Sequence, residues 1–275
     1  MNRETIVLQA GQANSRYWKD LWAARDVVWM LALRDISVRY KQSALGVSWV
    51  VLRPLLTMIV FTVVFEKIAN LSSEGGLPYP LLVLSGIVPW ILFSTALADV
   101  TNSLVSNANL IGKVYFPRMA IPISSLSNAV LEFLICLFLL ILFMALYGLD
   151  WSWNLLALPL FGMLALFSTV GLGLWWAALN VRYRDFRFVV PFVLQVGLYL
   201  TPIGYSSQHI PSGFKIFFYL NPMVSVIDGF RWAISSGLSS MFWPGLFGSV
   251  VSSIILFGLG IHVFRRSERS FADIV

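Results

Sequence analysis

Residues 121–147 read IPISSLSNAVLEFLICLFLLILFMALY, and the only charged side chain in the run is Glu132. A helix rises 1.5 Å per residue and the hydrocarbon core is about 30 Å thick, so about 20 apolar residues span it. The run meets that length as one continuous helix. Inside a bilayer no water is available to satisfy backbone N–H and C=O groups, which makes helix the form such a run must take. Five further stretches have the same character: 47–68, 81–102, 155–179, 188–205 and 244–264. The chain is 58% hydrophobic and only 12% charged, whereas soluble domains carry about a quarter charged residues. The expected fold is an all-α integral membrane protein with six transmembrane helices in one domain over 1–275. Residues 1–46 form a cytoplasmic or interfacial N-terminal segment, 47–264 the membrane core and 265–275 a cytoplasmic tail. A separate soluble catalytic domain has no room.

The 19 Lys and Arg residues are sorted by side. The N-terminal segment holds Arg3, Arg16, Lys19, Arg25, Arg34, Arg39 and Lys41, and Arg53 lies just inside the first span. The second and fourth loops add Lys113, Arg118, Arg182, Arg184 and Arg187, and the tail adds Arg265, Arg266 and Arg269. Only Lys67, Lys215 and Arg231 fall on the other side. Loops rich in Lys and Arg stay in the cytoplasm, which predicts cytoplasmic termini. Orientation and anionic headgroups account for a pI near 9.6 without nucleic acid. The lone Cys136 excludes an internal disulfide, and the opening MNRETIVLQAGQ lacks the pattern of a cleaved signal.

Between about Trp22 and Gln42, Trp29, Leu33, Ile36 and Tyr40 recur at helical spacing beside Arg34, Asp35, Arg39 and Lys41. That pattern predicts an amphipathic helix in the membrane interface, either an anchor or a lever that touches a partner. Asp35 and Arg39 stand one turn apart and are expected to pair. Arg53 either snorkels or lines a wet cavity. Gly86 and Pro89 predict a kink in the second span. Asp99 and Glu132 are either a proton relay or partners of Ser, Asn or Arg within the bundle. The loop NLIGKVYFPRMAIP (109–122) is short, basic and aromatic between prolines. It reads as a docking point or as an interfacial turn. Residues 206–243 are too polar to span, and Asn221-Pro222 divides them into two short helices that re-enter the outer leaflet. Met223, Val226, Ile227, Phe230 and Ile234 form one stripe there, with Asp228 and Arg231 on the other face.

Most catalytic chemistry is missing. Around Gly112-Lys113 the P-loop spacing fails, because Asn107 stands in place of the first Gly and Val114 follows the Lys. His209 and His262 fall on opposite sides of the membrane, so no metal site is expected. Nor does a nucleophile elbow occur. Aromatic residues are abundant: 11 Trp, 21 Phe and 9 Tyr. Most suit interface belts, and some can present apolar faces to sugar rings within a conduit.

Five stretches resemble the membrane subunit of ABC-type polysaccharide exporters, above all O-antigen export permeases of the type-2 ABC exporter superfamily. They are LRDISVRYKQSALGVSWVVLRPLL (33–56), NLIGKVYFPR (109–118), LNVRYRDFRFVVPFVLQ (179–195), LYLTPIGY (198–205) and LNPMVSVIDGFRWAI (220–234). The similarity runs from about Arg34 to Leu238. It implies a homodimer in the bacterial inner membrane bound to two copies of a separate ATPase subunit. This chain then holds no cofactor, and ATP and Mg belong to the partner. The resemblance assigns ATPase coupling to Tyr40, Lys41, Gly112, Lys113, Val114, Tyr115, Phe116, Pro117 and Arg118, with Arg182, Arg184, Asp185 and Arg187 as a second contact. The outer gate falls on Asn221, Pro222, Asp228 and Arg231. The implied substrate is lipid-linked polysaccharide on a polyprenyl diphosphate carrier. Arg39, Lys41 and Arg53 are the cations expected to meet that diphosphate at entry, since Arg suits phosphate geometry. Trp49, Phe61, Trp90, Phe93, Phe192, Gln195 and Tyr199 are the expected channel lining. Capsule and teichoic-acid exporters share the architecture. From other classes, an intramembrane glycan-modifying enzyme would rely on His209, Asp228 and Arg231, and a proton-coupled carrier on Asp99 and Glu132.

Overall fold

A computed structural model describes residues 17–41, 46–73, 75–114, 116–183, 185–239, 241–268 and 271. Tyr115 and Arg184 of the expected coupling set, and residues 1–16, 42–45, 269–270 and 272–275 of the terminal segments, lie outside the described residues. Helix makes up 82%, and no strand occurs among the described residues. In chain order the helices are α1 (Tyr17–Ala23), α2 (Arg25–Lys41), α3 (Ser48–Phe61), α4 (Tyr79–Ser106), α5 (Ala108–Ile111) and α6 (Ala120–Leu146). They continue with α7 (Leu158–Arg182), α8 (Phe186–Leu200), α9 (Ser212–Tyr219), α10 (Pro222–Ile234) and α11 (Trp243–Ser267). A π-helical turn, Thr62–Ile68, extends α3, and a 3-10 turn, Trp153–Ala157, leads into α7.

Among the described residues, five helices are long and apolar enough to cross a membrane: Ser48–Ile68, Tyr79–Ser106, Ala120–Leu146, Trp153–Arg182 and Trp243–Ser267. The stretch expected as the fifth span, 188–205, differs. Its helix, α8, has 15 residues. At 1.5 Å each that is ~22 Å, short of the hydrocarbon thickness. The helix stops at Leu200 because Thr201 precedes Pro202, and the residue before proline is pushed out of the α region. Thr201 is accordingly extended, with φ −87° and ψ 138°. Residues 201–205 follow as a non-helical strap, which runs so close to α4 that a Cβ on Gly86 would lie 3.0 Å from the Ile203 Cα.

Helix α4 is the axis of the bundle. It packs against α6, α7, α10, α3 and α8, and 89% of its most apolar window is buried. It continues through Gly86 and Pro89 as one helix. Helices α7 and α11 meet backbone to backbone at Gly171 and Gly260, beside a stacked Phe167–Phe257 pair with centroids 4.0 Å apart. Small residues allow such approach where apolar packing, not water exclusion, must hold helices together.

Two expectations change. Of the two short helices flanking Asn221-Pro222, α10 is buried for nearly its whole length, whereas α9 is mostly exposed. The expected stripe is inside, but so are Asp228 and Arg231, the latter 1% exposed. Helix α2 also departs from its expected stripe. It packs on α6 through Leu31 and Ala32, while Trp29 is 67% exposed and Leu33 is exposed too. Apolar side chains lie on both its α6-facing and its outward side, so spacing alone did not identify the buried one. Ser127 donates to the Ala32 carbonyl (3.5 Å) and Tyr40 to Glu132 (3.4 Å), so α2 runs alongside α6 in the same direction. Glu132 is twelve positions past Ala120, the first residue of α6, hence ~18 Å along it. The end of α2 therefore reaches well up the bundle rather than lying across its end.

Candidate functional site

One end of the bundle collects the basic loops. A second apolar cluster there joins Tyr17 of α1, Leu31 of α2, Leu104 of α4, Ile111, Met119, Val181 of α7, and Phe264 and Phe271 at the C-terminal end. On this platform Gly112, Lys113 and Val114 are exposed, and Phe116, Pro117 and Arg118 are half-buried. Arg182, Asp185 and Arg187 are exposed at the same end, with the Arg182 guanidinium 5.5 Å over the Tyr183 ring. The described residues of the 112–118 loop and of the 182–187 loop thus share one end, but Tyr40 and Lys41 of the same expected set do not lie there, because the end of α2 reaches well up the bundle.

The loop is held by a residue that the sequence did not single out. Glu268 accepts the Arg118 main-chain N–H (3.0 Å) and the Tyr17 hydroxyl (3.2 Å), and its carbonyl accepts from the Arg118 guanidinium. Arg265 stacks 4.7 Å over the Tyr17 ring. Burial, and then the Glu268 charge, push the Tyr17 hydroxyl up, so it remains a donor. Burial also pushes the Glu268 carboxyl up, against the opposing pull of the Arg118 amide and Tyr17. A raised carboxyl means the native state holds the extra proton. This site's contribution therefore falls as pH rises from the ordinary value of 4.5 through the raised one. Glu268→Ala is expected to destabilise the N-terminal and loop contacts by about 1–2 kcal/mol, roughly the worth of these bonds, and to abolish that pH dependence. Hydrogen exchange of the Arg118 amide measured against pH checks both.

A polar node ties α2 to the axis of the bundle. The Arg39 guanidinium sits 2.7 Å from Asp99 of α4 and 3.4 Å from Glu132 of α6. Glu132 also accepts from Thr95 (3.0 Å) and Tyr40 (3.4 Å). Burial works against the Arg39 cation, but the charges of Asp99 and Glu132 outweigh it and hold the guanidinium protonated. Burial, reinforced by Glu132, pushes the Tyr40 hydroxyl up to about 12, which keeps it a donor. The expected Asp35–Arg39 pair is therefore replaced: Asp35 pairs with Arg34 (2.7 Å), and Arg34 also reaches Asn107 (2.7 Å). Of the two readings of Asp99 and Glu132, the geometry is that of bundle pairing with Arg. Arg39 is engaged there as an ion-pair partner, while Lys41 and Arg53 are exposed.

Helices α3 and α8 are both only lightly covered. Pro54 and Met58 are the buried residues of α3, and Val190 that of α8. Trp49 (54% exposed), Phe192 (66%) and Tyr199 (63%) stand open, as does Gln195. Apolar surface on this scale faces lipid or protein rather than water. Phe61 and Phe93 are half-buried. Trp90 is a correction: its ring lies under Gly197 of α8, where an added Cβ would come within 2.9 Å, and it packs rather than lines a surface.

At the opposite end the expected gate residues form a lock. Asn221 caps α10 by accepting from the Met223 N–H (3.1 Å) and donates to Thr201 (3.2 Å). Pro222 takes the first helical position, which its fixed φ suits. Asp228 accepts from the Tyr219 hydroxyl (2.5 Å). Arg231 donates to the carbonyls of Pro202 (2.7 Å), Ile203 (3.0 Å) and Tyr205 (3.1 Å). It thereby satisfies backbone that the short α8 leaves outside any helix.

Comparison with known proteins gives a consistent picture. The family model described as ABC-2 type transporter matches residues 26–235. O-antigen export system permease protein RfbA of Klebsiella pneumoniae is 28% identical over 254 residues, covering 91% of this chain and 95% of that protein. The protein of the same name from Myxococcus xanthus is 26% identical over 260 residues, covering 94% and 98%. Polysialic acid transport protein KpsM of Escherichia coli is 24% identical over 244 residues, covering 87% and 93%.

Proposed function

The chain belongs to the ABC-2 type transporter family, and from that premise we propose that it is the permease subunit of an ATP-driven exporter of lipid-linked polysaccharide, with O-antigen on a polyprenyl diphosphate carrier as the cargo. The observation that carries this reading is similarity to O-antigen export permeases over nearly the whole of both chains. It is a multi-pass membrane protein whose place is the bacterial inner membrane, with the basic end and both termini in the cytoplasm. The stretch 188–205 completes a sixth crossing through α8 and its strap. Helices α9 and α10 re-enter from the outer side. The N-terminal helix meets the cytoplasmic interface.

Transport energy comes from a separate ATPase subunit, in two copies, which binds ATP and Mg. Gly112–Arg118 and Arg182–Arg187 offer it a basic, aromatic surface at one end, while Tyr40 and Lys41, at the raised end of α2, stand away from that surface. ATP binding favours one partner conformation over another, and the permease follows only as far as its two states differ in contact with that partner. A second copy covers the open α3 and α8 faces, so that Trp49, Phe192, Gln195 and Tyr199 face the conduit. Lys41 and Arg53 meet the carrier diphosphate. The KpsM relatives favour a second cargo, a capsular polysaccharide.

Affinity purification from native membranes tests the reading. The permease is expected to bring an ATPase subunit in equal amount, and its deletion to remove one surface polymer, whose identity decides between O-antigen and capsule. Purified protein that moves or modifies substrate without a partner would overturn it. Lys113→Glu with Arg182→Glu is expected to cut the co-purified ATPase at least fivefold at unchanged permease level, because both cations are exposed and little in the fold depends on them. A quantitative immunoblot of the eluate reads this directly.

A further inference from the structure

Arg39 and Tyr40 occupy the last turn of α2, which ends at Lys41, a few residues before α3 begins at Ser48. From there they reach two helices at the centre of the bundle, Asp99 on α4 and Glu132 on α6. A second polar pair, Arg34 to Asn107, ties α2 to α4 where the 107–118 segment begins. Rising along α2 from Arg34 to Arg39 corresponds to falling along α4 from Asn107 to Asp99, so the two helices run antiparallel and are pinned at two heights.

The cation is shared unequally. It lies 2.7 Å from Asp99 and 3.4 Å from Glu132, while Glu132 is steadied separately by Thr95. A guanidinium carries several donors in a rigid plane and can engage both carboxylates at once, and Glu132 keeps Thr95 and Tyr40 as donors when the cation leans toward Asp99. A cation shared by carboxylates on two helices passes a movement of its own helix to both, which is what a transmitting element needs. A merely structural tie would be served by the apolar contacts of Leu31 and Ala32 with α6.

The structure assigns Arg39, Asp99 and Glu132 as positioning residues of transport: one cation shared by two carboxylates that carries a displacement of α2 into α4 and α6. This rests on the reading that an ATPase subunit drives the permease from its basic end. The node joins that end to α4 and α6, the helices against which the conduit-facing α3 and α8 pack. Its role is distinct from proton carriage, because no change of protonation is required.

The permease–ATPase complex, reconstituted in vesicles, provides the test, with hydrolysis and polysaccharide translocation measured on one preparation. Arg39→Gln is expected to assemble with the ATPase and hydrolyse ATP within twofold of wild type while translocation falls at least tenfold. Asp99→Asn combined with Glu132→Gln should do the same. The exchange Arg39→Glu with Asp99→Arg keeps one cation and two carboxylates in the node and should restore translocation to within threefold. If Arg39→Gln translocates normally, or if hydrolysis and translocation fall together, the assignment is overturned. Should Arg39→Gln fail to accumulate, the exchange variant decides: its failure to restore translocation, at whatever membrane level, overturns the assignment. A wild-type chain that binds no ATPase would instead refute the proposed function itself.

Discussion

Arg231→Met should unfold the end of this protein opposite its basic loops. Arg231 is 1% exposed and donates to the carbonyls of Pro202, Ile203 and Tyr205. These carbonyls belong to the strap after α8, where Pro202 has ended the helix and no intrahelical donor is available. Methionine fills much of the arginine stem's volume but offers no N–H. Each buried acceptor left without a partner costs about 1–3 kcal/mol, and removing the charged member of a buried network about 3–5 kcal/mol. We therefore expect a loss of about 3–5 kcal/mol, large against the stability of most domains. Arg231→Lys should recover part of it, because an ammonium can reach one or two carbonyls but cannot spread its donors over three in a plane. Thermal unfolding of the detergent-solubilised protein, followed by size exclusion, measures both variants. A methionine variant that melts with wild type would show that the strap is held by packing against α4 alone.

Much of the fold could be read in advance, and the limits were physical. The run at 121–147 became α6 at Ala120–Leu146, and 244–264 became the core of α11, Trp243–Ser267. Length and hydropathy suffice there, because a bilayer allows an apolar run no other form. The 188–205 stretch met the same hydropathy test, yet a single proline at 202 ended its helix. Rotation about a helix axis was harder to foresee. Leu31 rather than Leu33 of α2 faces inward, since a helix with apolar side chains on two sides offers periodicity no single answer. The polar contacts were least legible. Arg39 and Asp99 are 60 positions apart, and Tyr17 and Glu268 251 apart. The local rule favoured Asp35 as the partner of Arg39, but two carboxylates from other helices outcompeted it. Gly112, Lys113 and Val114 in one basic loop, and Arg182, Asp185 and Arg187 in the other, were identifiable as exposed because charge resists burial, whichever helices meet beneath them. Trp90 illustrates the opposite limit: an aromatic side chain in a span can line a surface or fill a gap, and only the neighbouring Gly197 decides which.

A methyl group at the crossing of α7 and α11 should be as damaging as the loss of Arg231. A Cβ built on Gly260 overlaps the Gly171 carbonyl group, and one on Gly171 overlaps the Phe257 amide and the Leu256 carbonyl carbon. In both cases the obstacle is backbone, which no rotamer change can clear. The helices must separate, and the Phe167–Phe257 stack with its 4.0 Å centroid spacing separates with them. Dispersion falls steeply with such a gap, and lipid tails solvate leucine as well as protein does, so little opposes separation once contact is lost. Gly260→Ala is thus expected to cost at least ~3 kcal/mol, the upper part of the range for overpacked sites. Gly258, two residues earlier on the same helix, meets no atom within 4 Å of its would-be Cβ. Gly258→Ala should leave stability unchanged or slightly raised, since alanine is the better helix former. The two alanines differ by two positions and by nothing in chemistry. If their melting temperatures agree, close backbone approach is not what holds α11 to the bundle. If only Gly260→Ala falls, the approach of α7 and α11 at these two glycines fixes where the C-terminal helix seats, and with it the position of Glu268 beneath the 112–118 loop.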